Sequence, residues 1–170
     1  TGTITLSGPD AAHESGLNVE AGAAIVTTPD AMISLQEANA RFAAGGDITL
    51  TGIDAGTGVV SIISQTGSLL DGGDAATDIL ASAVRIHAGA GVGRLGAGVE
   101  DALEMATAVM SLISGPAGAN IVNGGPLEIG TVGVRIQSVD FAGGSHVVTD
   151  ADQSVLVSAG TVILWTAAGD

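Results

Sequence analysis

Apolar residues alternate with small or polar ones in short runs that end at Gly, Asn, Asp or Pro. A two-residue period of this kind sends one set of side chains inward and the other outward, as half-buried strands do. Runs of this type include Ile4-Thr5-Leu6, Leu17-Asn18-Val19, Ile48-Thr49-Leu50, Val60-Ser61-Ile62, Val84-Arg85-Ile86, Val134-Arg135-Ile136 and Val155-Leu156-Val157. The chain is therefore expected to be all-β, with many strands.

Two phrases recur. Ile4-Thr5-Leu6-Ser7-Gly8 returns as Ile48-Thr49-Leu50-Thr51-Gly52, 44 residues on. An apolar pair followed by Ala and Gly appears at Leu17-x-Val19-x-Ala21-Gly22, Val84-x-Ile86-x-Ala88-Gly89 and Val155-x-Val157-x-Ala159-Gly160, with starts 67 and 71 residues apart. Imperfect repeats of this length predict a solenoid of about seven coils of roughly 22 residues, each burying its apolar face against its neighbours. The whole of 1–170 reads as one such segment, a fragment of a larger repetitive protein.

One stretch departs from the strand pattern. Val99, Leu103, Ala106, Met110 and Ile113 fall at helical spacing in a run without Gly or Pro. This predicts a short flanking helix over 99–113, with two strands joined by a turn as the alternative.

Composition narrows the classes. There are 27 glycines, no cysteine and 2% aromatic residues, against 46% hydrophobic residues overall. A core so poor in aromatics must be built from regular layers of small aliphatic side chains. Eighteen acidic residues against four arginines give a formal charge of -14, which argues against nucleic acid and anionic membranes as partners and favours cations. Without cysteine there is no disulfide and no thiolate metal site. No run reaches the length of a membrane-spanning helix, so no membrane insertion is expected.

The order Val60 to Asp74, then Asp78-Ile79-Leu80-Ala81, then Val84 to Gly93, followed by Leu103 and by Asn123-Gly124-Gly125-Pro126-Leu127-Glu128-Ile129, resembles the repeats of filamentous-haemagglutinin-type and other giant bacterial β-strand-repeat adhesins. The resemblance covers about residues 48 to 130 and is one of pattern. It implies a right-handed parallel β-helix that is exported, displayed at a bacterial cell surface or in the extracellular matrix, and used in attachment or matrix building. The departures are the helix-like segment and the scarcity of Asn, which leaves no expectation of stacked Asn ladders.

Candidate chemistry is sparse. Gly91-Val92-Gly93-Arg94-Leu95-Gly96 is a literal GxGxxG, but no acidic residue stands about 20 positions further on and no βαβ series follows, so it reads as a tight corner. Asp71, Asp74 and Asp78 lie within eight residues of glycine-rich chain and are the candidate calcium ligands, since a hard cation needs several oxygens. The alternative there is a solvated turn in which Asp side chains cap backbone groups. Glu100, Asp101 and Glu104 read as acidic residues in the first turn of the expected helix. Asp10 and Asp54 would be the paired carboxylates of a sugar-cleaving groove, beside Arg85, Arg135 or Trp165. His13, His87 and His146 form no zinc motif.

The expectation is a non-enzymatic structural or adhesive segment, a stiff spacer or self-assembling rod. It requires no cofactor, with Ca²⁺ as an option. Its partners would be neighbouring solenoid segments or identical subunits end to end, and a host or cell-surface receptor. A carbohydrate-active β-helix enzyme and a calcium-dependent extracellular module are the alternatives.

Overall fold

A computed structural model describes residues 3–5, 16–73, 75–96, 101–140 and 142–167. After β1 (Thr3–Thr5), the chain winds through four regular turns of three strands each. These are β2 (Gly16–Ala21), β3 (Ile25–Val26) and β4 (Met32–Ser34); β5 (Asn39–Ala44), β6 (Ile48–Leu50) and β7 (Ile53–Asp54); β8 (Val59–Ser64), β9 (Leu69–Asp71) and β10 (Ile79–Leu80); and β11 (Ala83–Ala88), β12 (Gly91–Val92) and β13 (Leu103–Ala106). The next turn has only β14 (Val109–Ser114) and the longer β15 (Gly118–Asn123), whose two halves pair with β12 and β13 respectively. Corresponding strands of successive turns pair in parallel, so the molecule is a three-sided β-solenoid.

Strand alternation explains the core. On the first side the inward positions are Ala40 and Phe42, then Val60 and Ile62, then Val84 and Ile86, then Met110 and Leu112, all buried. The second side adds Ile48 above Ile25 and Leu69 above Ile48, and the third adds Ile53, Ile79 and Met105 in one column. These residues form one continuous cluster along the axis. Where Ser64 replaces a stacked alanine, its hydroxyl donates to the carbonyl of Gly46 at 2.8 Å, so the polar group is satisfied inside the bore.

The expected count of seven coils is too high, for two reasons. Turns are uneven: the paired positions Leu17, Ala40, Val60, Val84 and Met110 are separated by 23, 20, 24 and 26 residues. A stretch near the C-terminus also leaves the coil altogether. After β16 (Glu128–Ile129) the chain forms an antiparallel hairpin of β17 (Val132–Val139) and β18 (Ser145–Gln153), then returns as β19 (Leu156–Ser158) and β20 (Val162–Thr166). β16 pairs with the start of β14 and β19 with its end, so the hairpin interrupts a single strand position of the last turn. The run Val134-Arg135-Ile136 is thus hairpin, not coil.

The helix expected over 99–113 is replaced by β13 and β14 among the described residues; 97–100 lie outside them. Leu103, Met105, Met110 and Leu112 are buried at a two-residue period. The break between these strands is held by Asn123, fully buried one turn on, whose amide accepts from Thr107 N and donates to Thr107 O, both at 3.0 Å. Tertiary pairing overrides the helix propensity of Ala, Leu, Met and Glu here.

Candidate functional site

Three carboxylates converge where the second side turns into the third. Asp71 ends β9, one position beyond Leu70 and on the same face as the inward-pointing Leu69. Asp78 immediately precedes Ile79, the inward residue that opens β10. Glu104 lies in β13, one turn further on, and is brought beside Asp78 by the register Ile79 to Met105. One oxygen from each of Asp71, Asp78 and Glu104 lies within 4.8 Å of the others. Backbone contacts fix the arrangement: Asp78 N donates to Glu104 O at 2.9 Å, and Glu104 N donates to Asp78 Oδ2 at 3.1 Å. Asp71 Oδ1 accepts from Gly73 N at 2.9 Å, and the turn there relies on the left-handed φ of 96° that glycine adopts without a Cβ penalty. Asp71 is only 8% exposed, and its Oδ2 is buried without a hydrogen-bond partner.

Two of the three residues expected as calcium ligands, Asp71 and Asp78, are therefore brought together. Asp74 lies outside the described residues. Glu104, read from the sequence as part of a helix start, is instead the third member of the group. The other candidates disperse. Asp54 accepts from Gly56 N at 3.1 Å in a local turn, and Asp10 lies outside the described residues. Arg85 is on the first side, Arg135 on the hairpin and Trp165 on β20. Gly91 to Gly96 forms a corner, with the Arg94 carbonyl accepting from Asn120 Nδ2 at 2.9 Å. A shallow depression beside Ser82, Thr107 and Pro126 has no ionisable group in its lining.

A second polar cluster lies on the outer surface of the first side, under the hairpin. β17 runs across β2, β5, β8, β11 and β14, burying Val132, Val134 and Ile136 against them. Asp150 of β18 accepts from Arg41 Nε at 2.9 and 3.0 Å through its two oxygens, and from Ser61 Oγ at 2.7 Å. Arg41 also donates to Asn18 Oδ1 at 3.1 Å and pairs with Glu20 at 2.6 Å. Gln153 Nε2 donates to the Ile86 carbonyl at 3.0 Å, pinning the end of the hairpin.

Arg85 fits this cluster poorly. Its Nε donates to Ala151 O at 3.2 Å, while its Nη1 is buried without a hydrogen-bond partner. Burial pushes its guanidinium below its ordinary value; Asp150 pulls it back up and Arg41 pushes it further down. Replacing an imperfectly paired cation by an apolar chain of similar length removes the desolvation cost. Arg85→Met is thus expected to leave stability within about 1 kcal/mol of wild type, or above it, in urea unfolding. A loss of about 3 kcal/mol would instead show that Arg85 shares Asp150 on equal terms with Arg41.

No protein-family model, curated protein or solved structure matches the chain. Its class rests on the fold: it is a parallel β-solenoid built from imperfect repeats.

Proposed function

We propose that the chain is a non-catalytic structural segment of a secreted bacterial surface or filament protein, one that stacks end to end into a stiff extracellular rod and contributes to adhesion. The observation that carries this reading is the axial stack itself. Hydrogen bonds run from turn to turn over a continuous apolar core, and the last strand, β20, pairs only with β15 among the described residues. Such a strand edge offers its backbone groups to a further turn or a second copy. Ile163 and Trp165 on β20 are exposed beside that edge. The resemblance to filamentous-haemagglutinin-type repeats supports the extracellular, adhesive setting. The strong negative charge supports a rod that stays unbundled until cations or a receptor bridge it.

The geometry sets what a test must look for. Six strand levels on the first side, stepped at ~4.8 Å, span only about 24 Å, which is short for a rod. Single particles will not look like rods, and only association along the axis produces them. Electron microscopy of the purified protein over a concentration series, with Ca²⁺ and with chelator, should give unbranched fibres one subunit wide. Compact single particles at every concentration in both conditions would overturn end-to-end assembly.

A further inference from the structure

We infer that Asp71, Asp78 and Glu104 form a binding site for one hard divalent cation, of which Ca²⁺ is the best fit. Three carboxylates whose oxygens approach within 4.8 Å repel one another unless positive charge or shared protons intervene. Each offers at least one oxygen to a common centre, and water can complete the Ca²⁺ shell. Asp71 supplies the independent sign of a ligand: it is more than nine-tenths buried, one of its oxygens lies within 4.8 Å of those of Asp78 and Glu104, and its Oδ2 is buried with no hydrogen-bond partner among the described residues. A buried carboxylate oxygen left in that state costs free energy that a coordinated cation removes.

The donor set selects the kind of metal. Carboxylate oxygens without imidazole or thiolate suit Ca²⁺, Mg²⁺ or Mn²⁺ and not zinc. The three donors come from two strands and a loop end with unequal backbone restraint, so they can satisfy the irregular geometry of Ca²⁺ more readily than the octahedron of Mg²⁺. Because β9 and β10 belong to one turn and β13 to the next, the bound ion would clamp successive turns together. The inference stands apart from the rod reading, since a clamp of this kind stabilises one copy whether or not copies associate.

The test is calorimetric titration of chelator-stripped protein with CaCl₂, repeated with MgCl₂, in about 0.15 M KCl to screen the diffuse negative charge. The expected result is one saturable Ca²⁺ per chain with weaker Mg²⁺ binding, and a rise of the thermal midpoint by about 5 °C or more at saturating Ca²⁺. Asp71→Asn should lose both responses while being at least as stable as wild type in chelator. Glu104→Gln, at a less buried position, provides the same test should Asp71→Asn fail to fold. Equal Ca²⁺ binding by wild type and a folded variant, or a wild-type midpoint that Ca²⁺ does not move, would overturn the site.

Discussion

Asp150→Ala should destabilise the protein by about 3 kcal/mol in urea unfolding, a large effect for one surface-sheet residue. The side chain accepts three hydrogen bonds, two from Arg41 Nε and one from Ser61 Oγ, and Ser61 is fully buried. Its removal leaves Arg41, whose side chain is 11% exposed, with only Asn18 and Glu20 among the described residues to answer its charge. The remaining partners hold the figure at the lower end of the range for a broken buried pair. The repulsion between Arg41 and Arg85 then loses the Asp150 charge that offsets it. Asp150→Asn, which keeps the shape, should cost less, and hydrogen exchange should report the loss first in β17 and β18. A change below about 1 kcal/mol for the alanine variant would mean that apolar packing of Val132, Val134 and Ile136 alone holds the hairpin.

Gly115→Val should be at least as damaging, with a cost of about 3 kcal/mol or more. Gly115 stands at the corner between the first and second sides, directly over Gly89. A Cβ at Gly115 would fall within the carbonyl oxygen of Gly89 and press on that of Ala90. Neither backbone can yield easily: Gly115 N donates to Ala88 O at 3.0 Å, and Ala90 N donates to Gly67 O at 2.8 Å. Moving one corner would break the ladder that defines the turn spacing. Gly125→Ala is the control, because a Cβ there meets nothing within 4 Å, and it should leave urea unfolding unchanged within about 0.5 kcal/mol. Equal stability of the two variants would contradict the close stacking of corners.

The solenoid was legible because its two ingredients are written locally. The two-residue alternation marks strands, and Ala-Gly after an apolar pair marks the corner where Leu17 to Gly22 and Val84 to Gly89 leave the first side. The register was less legible. Val155-x-Val157 is slipped by one position, since Leu156 pairs with Leu112; the matching phrase is Met110-x-Leu112-x-Ser114-Gly115. Likewise, Ile4 belongs to the third side, paired with Ile33, while Ile48 belongs to the second, so their likeness is not a coil step. Apolar alternation fits any side, and only the corner residues distinguish one from another.

The hairpin shared the alternation of a coil strand and was hidden by it. What distinguishes it is the Asp140 to Gly144 turn, where Asp140 Oδ1 accepts from Ala142 N and Gly144 N, both at 2.8 Å. At the candidate site, the proximity of Asp71 and Asp78 was visible because both belong to one glycine-rich loop. Glu104 was not, because it arrives from the next turn, 26 residues after Asp78, along the step that carries Ile79 to Met105. Reading the helix into 99–113 removed that step from view.

The hairpin across the first side also changes how the turns depend on one another. A bare solenoid behaves as a line of neighbours, each turn melting with little regard for those two away. Here β17 touches the first-side strand of all four regular turns, and Asp150 reaches Arg41, 109 residues earlier in the chain. A contact of this sequence separation carries a large loop-closure cost, so it is expected to slow folding. Once closed, it joins turns that would otherwise fray one at a time into a single cooperative unit.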